Sequence, residues 1–192
     1  SVNVACVTGA ATRPGRLAAA MEHLAGRLER APGVSSVGRV DLYQHRVEIC
    51  DGRSEEDYGA DTRGAIATIA SADAVVFGSP VYRATYPGAL KNLLDHLSVP
   101  TLQNKPVGVV AIAASDHHFL GVDSHMRFVL AWFGALTLPN SVYLKNSDFE
   151  DGVLTSDSAR EHMDGLADAL VTLGSRLEGV TLGPTPLAAK PW

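Results

Sequence analysis

With 192 residues, 46% of them hydrophobic and 19% charged, the chain has the length and balance of one globular domain with a full core. A formal net charge of −5 argues against the basic surface that a nucleic-acid partner requires, and no apolar run approaches the roughly 18 residues of a membrane span. Two cysteines, Cys6 in an apolar run and Cys50 in a polar one, give neither a disulfide framework nor metal spacing, and no leader is visible, so a cytoplasmic protein is expected.

Val2 to Val7 is a short, nearly continuous apolar run, as in a parallel strand covered on both faces. Pro14 and Gly15 then open a helix whose stripe is Leu17, Met21, Leu24 and Leu28, ended by Ala31-Pro32-Gly33. Val34 to Tyr43 predicts a second strand, Gln44 to Asp61 a polar loop, and Thr62 to Ser71 a short helix. Ala74 to Phe77 is the third strand, followed by the helical stripe Ala89, Leu90, Leu93, Leu94 and Leu97. Pro106 to Ala114 is the fourth strand. Val122, Met126, Val129, Leu130 and Phe133 mark another helix, closed by Gly134. Leu136 to Leu144 is the fifth strand, with Pro139 near its start. Ser158 and Glu161 fit a capping box for a last helix with Met163, Leu166, Leu170, Leu173 and Leu177 on one face.

Strand and helix alternate five times, the pattern of a doubly wound α/β sandwich. Five strands in a chain of this size favour one parallel sheet of order 2-1-3-4-5. One domain over residues 1–180 is expected, with an irregular tail over 181–192 in which two prolines precede Pro191 and Trp192.

In such a sheet ligands bind at the carboxyl ends of the strands beside the switch in strand order, which selects three loops. The first, Thr8 to Leu17, runs from a buried strand into a helix N-terminus, where free amides and the helix dipole favour an anion. Gly9, Thr12, Arg13, Gly15, Arg16 and Leu17 are its candidate phosphate ligands. It is neither a Walker A loop nor a GxGxxG loop. In the second, Ser79 to Gly88, the prolines stiffen a segment whose Pro80, Val81, Tyr82 and Arg83 are placed to meet a flat heterocycle and a nucleotide phosphate. The alternative reading makes Tyr82 and Tyr86 packing residues and Arg83 a solvated charge. The third, Ala113 to Gly121, offers Ser115, Asp116 and His117. His117, His118 and His125 match no zinc spacing, so no metal is expected. Lys91 and Asp95 form an i,i+4 pair with a structural reading.

The stretch from Ala74 to Leu97 resembles the central motif of the NAD(P)H-dependent FMN reductases, close to "TPVYxxSYxGxLKxxLDxL", and similarity extends from the first strand to about Gly179. The dense match through Leu97 favours the functional reading of the second loop over the packing one. The first loop is similar to that family's "GSxRxxSRS": Gly9, Pro14 and Arg16 match, while Ala10, Gly15 and Leu17 replace three serines. Ser115 and Asp116 stand where the family usually has Gly-Gly at the pyrimidine side of the flavin. The resemblance implies a flavodoxin-like three-layer sandwich, FMN as flavin, and NADPH or NADH as hydride donor to flavin N5. It assigns no acid, base or other catalytic side chain. It also implies a homodimer or homotetramer. Gly121 to Arg127 resembles "AVDYALK" of reductases that pass reduced FMN to a flavin-dependent monooxygenase, with Ser124 at the tyrosine position and His125 beside it. A carboxylate at Asp116 near reduced flavin opposes its charge and suits release; a solvent-facing Asp116 is the other reading. Two further functions stay open: an FMN-retaining reductase of quinones, azo or nitro compounds, and a non-catalytic module that has lost FMN.

Overall fold

The computed structural model describes residues 1–186; the expectations for the tail beyond, including Pro191 and Trp192, lie outside the described residues. β1 (Val2–Thr8), β3 (Ala74–Pro80) and β4 (Pro106–Ala113) are buried along nearly their whole length, which is why they read as continuous apolar runs rather than alternating ones. β2 (Val34–Asp41) lies at the sheet edge and is correspondingly more polar. All pairings in the main sheet are parallel, in the flavodoxin-like order β2-β1-β3-β4-β5, with β5 at Leu136–Thr137.

The sheet is covered on both faces. α1 (Arg16–Glu29) and α5 (Asp157–Arg176) cover one face with Leu17, Leu24 and Leu28 packed among Met163, Leu166 and Leu170. α2 (Ala60–Ala70), α3 (Gly88–His96) and α4 (Gly121–Trp132) cover the other with Ile66, Ile69, Leu90, Leu93, Met126 and Leu130. Each stripe follows the helical period seen in the sequence. Among the described residues no helix is long and apolar enough to cross a membrane.

Four expectations are adjusted. β2 stops at Asp41 rather than Tyr43, because the Asp41 carboxylate accepts the Tyr43 amide at 2.9 Å and turns the chain. α2 starts at Ala60, two residues early, and the preceding loop contains a 3-10 turn at Glu55–Asp57. The fifth strand forms in two pieces, β5 (Leu136–Thr137) and β6 (Val142–Lys145), both paired with β4. Between them Pro139 cannot donate to a ladder, and the chain is tied to α4 instead. Arg127 holds the Asp123 carboxylate through both Nε and Nη2 and donates to the Pro139 carbonyl at 3.1 Å, while the Ser141 hydroxyl donates to the same carboxylate. The expected capping box at Ser158 and Glu161 is not the cap: Ser156 caps α5, accepting the Ala159 amide at 3.2 Å. A small hairpin, β7 (Phe149–Glu150) and β8 (Val153–Leu154), also precedes α5, turned by Asp151-Gly152.

Candidate functional site at the carboxyl ends of the strands

The loop after β1 begins with a close approach. The Gly9 amide donates to the Gly78 carbonyl at 2.7 Å, and a Cβ on Gly9 would lie 2.6 Å from that oxygen and 2.9 Å from Leu90 Cδ2. Only glycine fits there. The chain then rises through exposed residues to Gly15, the N-cap of α1, where no side chain caps the helix. The first amides of a helix have no partner within it, and the first turn of α1 contains Arg16 and no acidic residue. The result is an electropositive helix end with free donors.

This helix end opens into a cleft of about 230 Å³. Thr12, Arg13, Gly15, Arg16 and Leu17 line it from the first loop, Pro80 from β3, Ile112 and Ala113 from β4, and Ala114 from just after it. Asp41 at the end of β2 and Asn146 after β6 complete it. Neither Arg13 nor Arg16 has an ion-pair partner among the described residues.

The second loop is an ordered turn. The Val81 amide donates to the Ile112 carbonyl at 3.0 Å, continuing the β3–β4 ladder. Tyr82 and Thr85 then exchange both backbone hydrogen bonds, at 2.7 and 3.1 Å, across Arg83 and Ala84. Those two residues have φ of 48° and 71°, the left-handed values of a type I′ turn that normally selects Asn-Gly. For residues with a Cβ such backbone costs on the order of 1–2 kcal/mol each, so contacts outside the turn must hold it. Tyr82 and Arg83 are exposed at its surface.

In the third loop Asp116–His118 forms a 3-10 turn. Ser115 Oγ and His117 Nδ1 are hydrogen-bonded at 3.1 Å, and the Tyr143 hydroxyl donates to the Ser115 carbonyl. The Asp116 side chain is exposed and pairs with Lys145 Nζ at 3.1 Å. Its charge is thereby offset at the sheet edge and screened by solvent.

A protein-family model described as NADPH-dependent FMN reductase matches residues 2–149, more than three quarters of the chain. The chain belongs to this family. It is 35% identical to the NAD(P)H-dependent FAD/FMN reductase of Geobacillus thermodenitrificans over 129 residues, 67% of this chain and 70% of that protein. It is 29% identical to the NADH-dependent FMN reductase SfnF of Pseudomonas fluorescens over 163 residues, 81% of this chain and 83% of that one. Among solved structures, the apo form of the NADH:FMN oxidoreductase EMOB shares the fold with a TM-score of 0.75 at 20% identity, over 90% of this chain and 89% of that one.

As a member of the NADPH-dependent FMN reductases, the protein is an oxidoreductase of a family that uses FMN and a nicotinamide nucleotide. The donor set of the cleft fits a phosphate monoester: uncapped α1 amides, Thr12, and two unpaired arginines. Ala10, Gly15 and Leu17 offer no hydroxyl where the resembling loop pattern has serines, and a hydrogen bond to a charged group is worth about 1.5–3 kcal/mol. The arginines and free amides are the replacements present.

Of the sequence candidates, Thr12, Arg13, Gly15, Arg16, Leu17 and Pro80 come together in the cleft. Gly9 lies beneath it as a packing pivot rather than in its lining. Val81, Tyr82, Arg83, Ser115, Asp116 and His117 do not line it; they follow directly on the lining residues Pro80 and Ala114, outside the cleft. Sequence reasoning missed Asp41 and Asn146. Both follow from the same strand-end rule when it is extended to the second and fifth strand positions.

Proposed function

We propose that this chain reduces FMN with NAD(P)H as a substrate-like flavin and releases it to a partner flavin-dependent monooxygenase. The observation that carries the reading is the cleft. At about 230 Å³ it falls below the ~300 Å³ lower end of small-molecule pockets, so it suits the ribityl phosphate, with the ring left to the outer turns. Its phosphate end offers exposed arginines and amides in place of three serine hydroxyls, a set suited to exchange rather than permanent retention. The resemblance of Gly121 to Arg127 to monooxygenase-feeding reductases points the same way.

Bound FMN supplies the hydride acceptor at N5. The chain's own residues bind and orient: Arg13, Arg16 and the α1 amides hold phosphate, while Pro80 to Arg83 and Ser115 to His117 form the two segments available to the ring. Hydride transfer needs no protein acid or base, and none is assigned.

The proposal includes a homodimer. Phe128 and Trp132, four residues apart, share a flank of α4 and Leu120 lies just before its start, exposed to 83%, 51% and 56%. Tyr82 and Phe119 are exposed as well. An isologous contact through α4 covers such a self-complementary stripe.

The test is FMN titration by fluorescence quenching, with NADPH and NADH oxidation followed in the same samples. Reversible binding with FMN-dependent turnover supports the reading. FMN that copurifies and does not dissociate overturns it in favour of a retained-flavin reductase of quinones, azo or nitro compounds. No binding and no turnover leaves a non-catalytic module.

A further inference from the structure

A helix that contributes nothing to the lining of the phosphate cleft braces the turn beside it. Arg83 and Ala84 hold positive φ although neither is Gly or Asn, so the Tyr82–Thr85 turn is not fixed by its own residue preferences. One brace is β4, through the Val81 amide and the Ile112 carbonyl. The other is α4. His125 Nδ1 and Thr85 Oγ1 are hydrogen-bonded at 2.7 Å. Gly121, one helical turn earlier, packs directly on the turn, where a Cβ would lie 2.3 Å from the Ala84 carbonyl oxygen. Residues four apart share a helix face, so both contacts come from the same flank of α4.

We infer that α4 sets the position of the Tyr82–Thr85 turn for the flavin ring, with His125 and Gly121 as positioning residues. The inference rests on the proposed FMN site. The hydrogen bond ties the turn to the helix, and the missing side chain at Gly121 lets the helix N-terminus approach the turn's backbone. Moving either displaces Tyr82 and Arg83, the exposed residues of the turn.

The experiment uses a double-mutant cycle on the full-length protein with His125→Ala, Thr85→Val and their combination, plus His125→Asn, whose side chain keeps a hydrogen-bonding group near the Nδ1 position. His125 and Thr85 are not core residues, so the variants are expected to fold. The first readout needs no flavin: the rate of tryptic cleavage after Arg83, followed by mass spectrometry. Each single variant is expected to speed cleavage about fivefold, the factor one net hydrogen bond carries. The double variant is expected to go no further, because the two residues act through one contact. His125→Asn is expected to restore the slow rate. The second readout is the FMN dissociation constant, expected to follow the same pattern. Additive effects, or no effect on cleavage, overturn the brace. Faster cleavage with unchanged FMN affinity overturns the positioning role. Wild-type protein that binds no FMN overturns the functional reading and this role with it, while the cleavage readout still reports the brace.

Discussion

The backbone amide of Gly9 meets the carbonyl of Gly78 at 2.7 Å, joining the ends of β1 and β3 where the strand order switches. A side chain at residue 9 would collide with that carbonyl and with Leu90. Gly9→Ala is therefore expected to destabilise the fold by about 1–3 kcal/mol, the range of overpacking in a close-packed interior. It is also expected to displace the phosphate loop. Urea unfolding midpoints with FMN titration check both; a variant as stable as wild type with unchanged affinity refutes the close-approach account.

Arg13 and Arg16 line the proposed phosphate cleft, and neither has an ion-pair partner among the described residues. Arg16→Gln is expected to weaken FMN binding by roughly tenfold, the scale of one charge-assisted hydrogen bond. Riboflavin, which lacks the phosphate, is expected to be affected far less. Equal losses for both flavins would move the arginine away from the phosphate.

The polar loop between β2 and α2 is strapped by α3. Asn92 Nδ2 donates to the Glu48 carbonyl at 2.9 Å, and Asn92 Oδ1 accepts the Cys50 amide at 2.9 Å. His96 Nε2 reaches the same Glu48 carbonyl at 2.7 Å. Asn92→Ala is expected to cost about 1–3 kcal/mol by leaving the Cys50 amide without a partner, while the Glu48 carbonyl keeps His96, with the loss concentrated in the loop. Hydrogen exchange should quicken at Cys50 while β1 and β3 keep their protection.

Acid should weaken the fold through carboxyls held below their ordinary range, Asp51 and Asp123 together with Glu29 and Glu48. Hydrogen bonds from Arg53 and then Tyr58 hold Asp51 down at about 2. Burial opposes ionisation of Asp123, but hydrogen bonds from Arg127 and Ser141 outweigh it and hold the group below its usual range. Both therefore bind protons less readily folded than unfolded. Their stabilisation is complete above about pH 4, the ordinary carboxyl range, and is lost as pH falls toward 2. Denaturant midpoints measured against pH should drop over that interval, and Asp51→Asn with Asp123→Asn should flatten the drop. An unchanged slope in the double variant would assign the acid limb to other groups.

The sheet order and both helical layers were legible because they depend on apolar periodicity. β1, β3 and β4 announced themselves as continuous apolar runs, and Leu24, Leu90 and Leu130 at helical spacing proved fully buried. The Asp151-Gly152 turn of the β7–β8 hairpin was a legible signal that went unread. The helix end of the cleft was also readable, since a strand, a glycine and an arginine-flanked helix start are local in sequence. The family resemblance added the flavin and the nicotinamide nucleotide.

Other features depend on residues distant in the chain. Nothing near Asp116 in sequence indicates that Lys145 offsets its charge. Nothing near Pro139 shows that Arg127 and Asp123 tie down the break in the fifth strand. Asn146 enters the cleft only because β6 pairs with β4, and Thr85 meets His125 only because α4 packs against the loop after β3. Fold class and the strand ends that form the cleft were readable along the chain, because hydrophobic periodicity and turn chemistry are short-range properties. Which charges are paired and which turns are braced depends on packing, because those energies belong to contacts between segments that the chain brings together on folding.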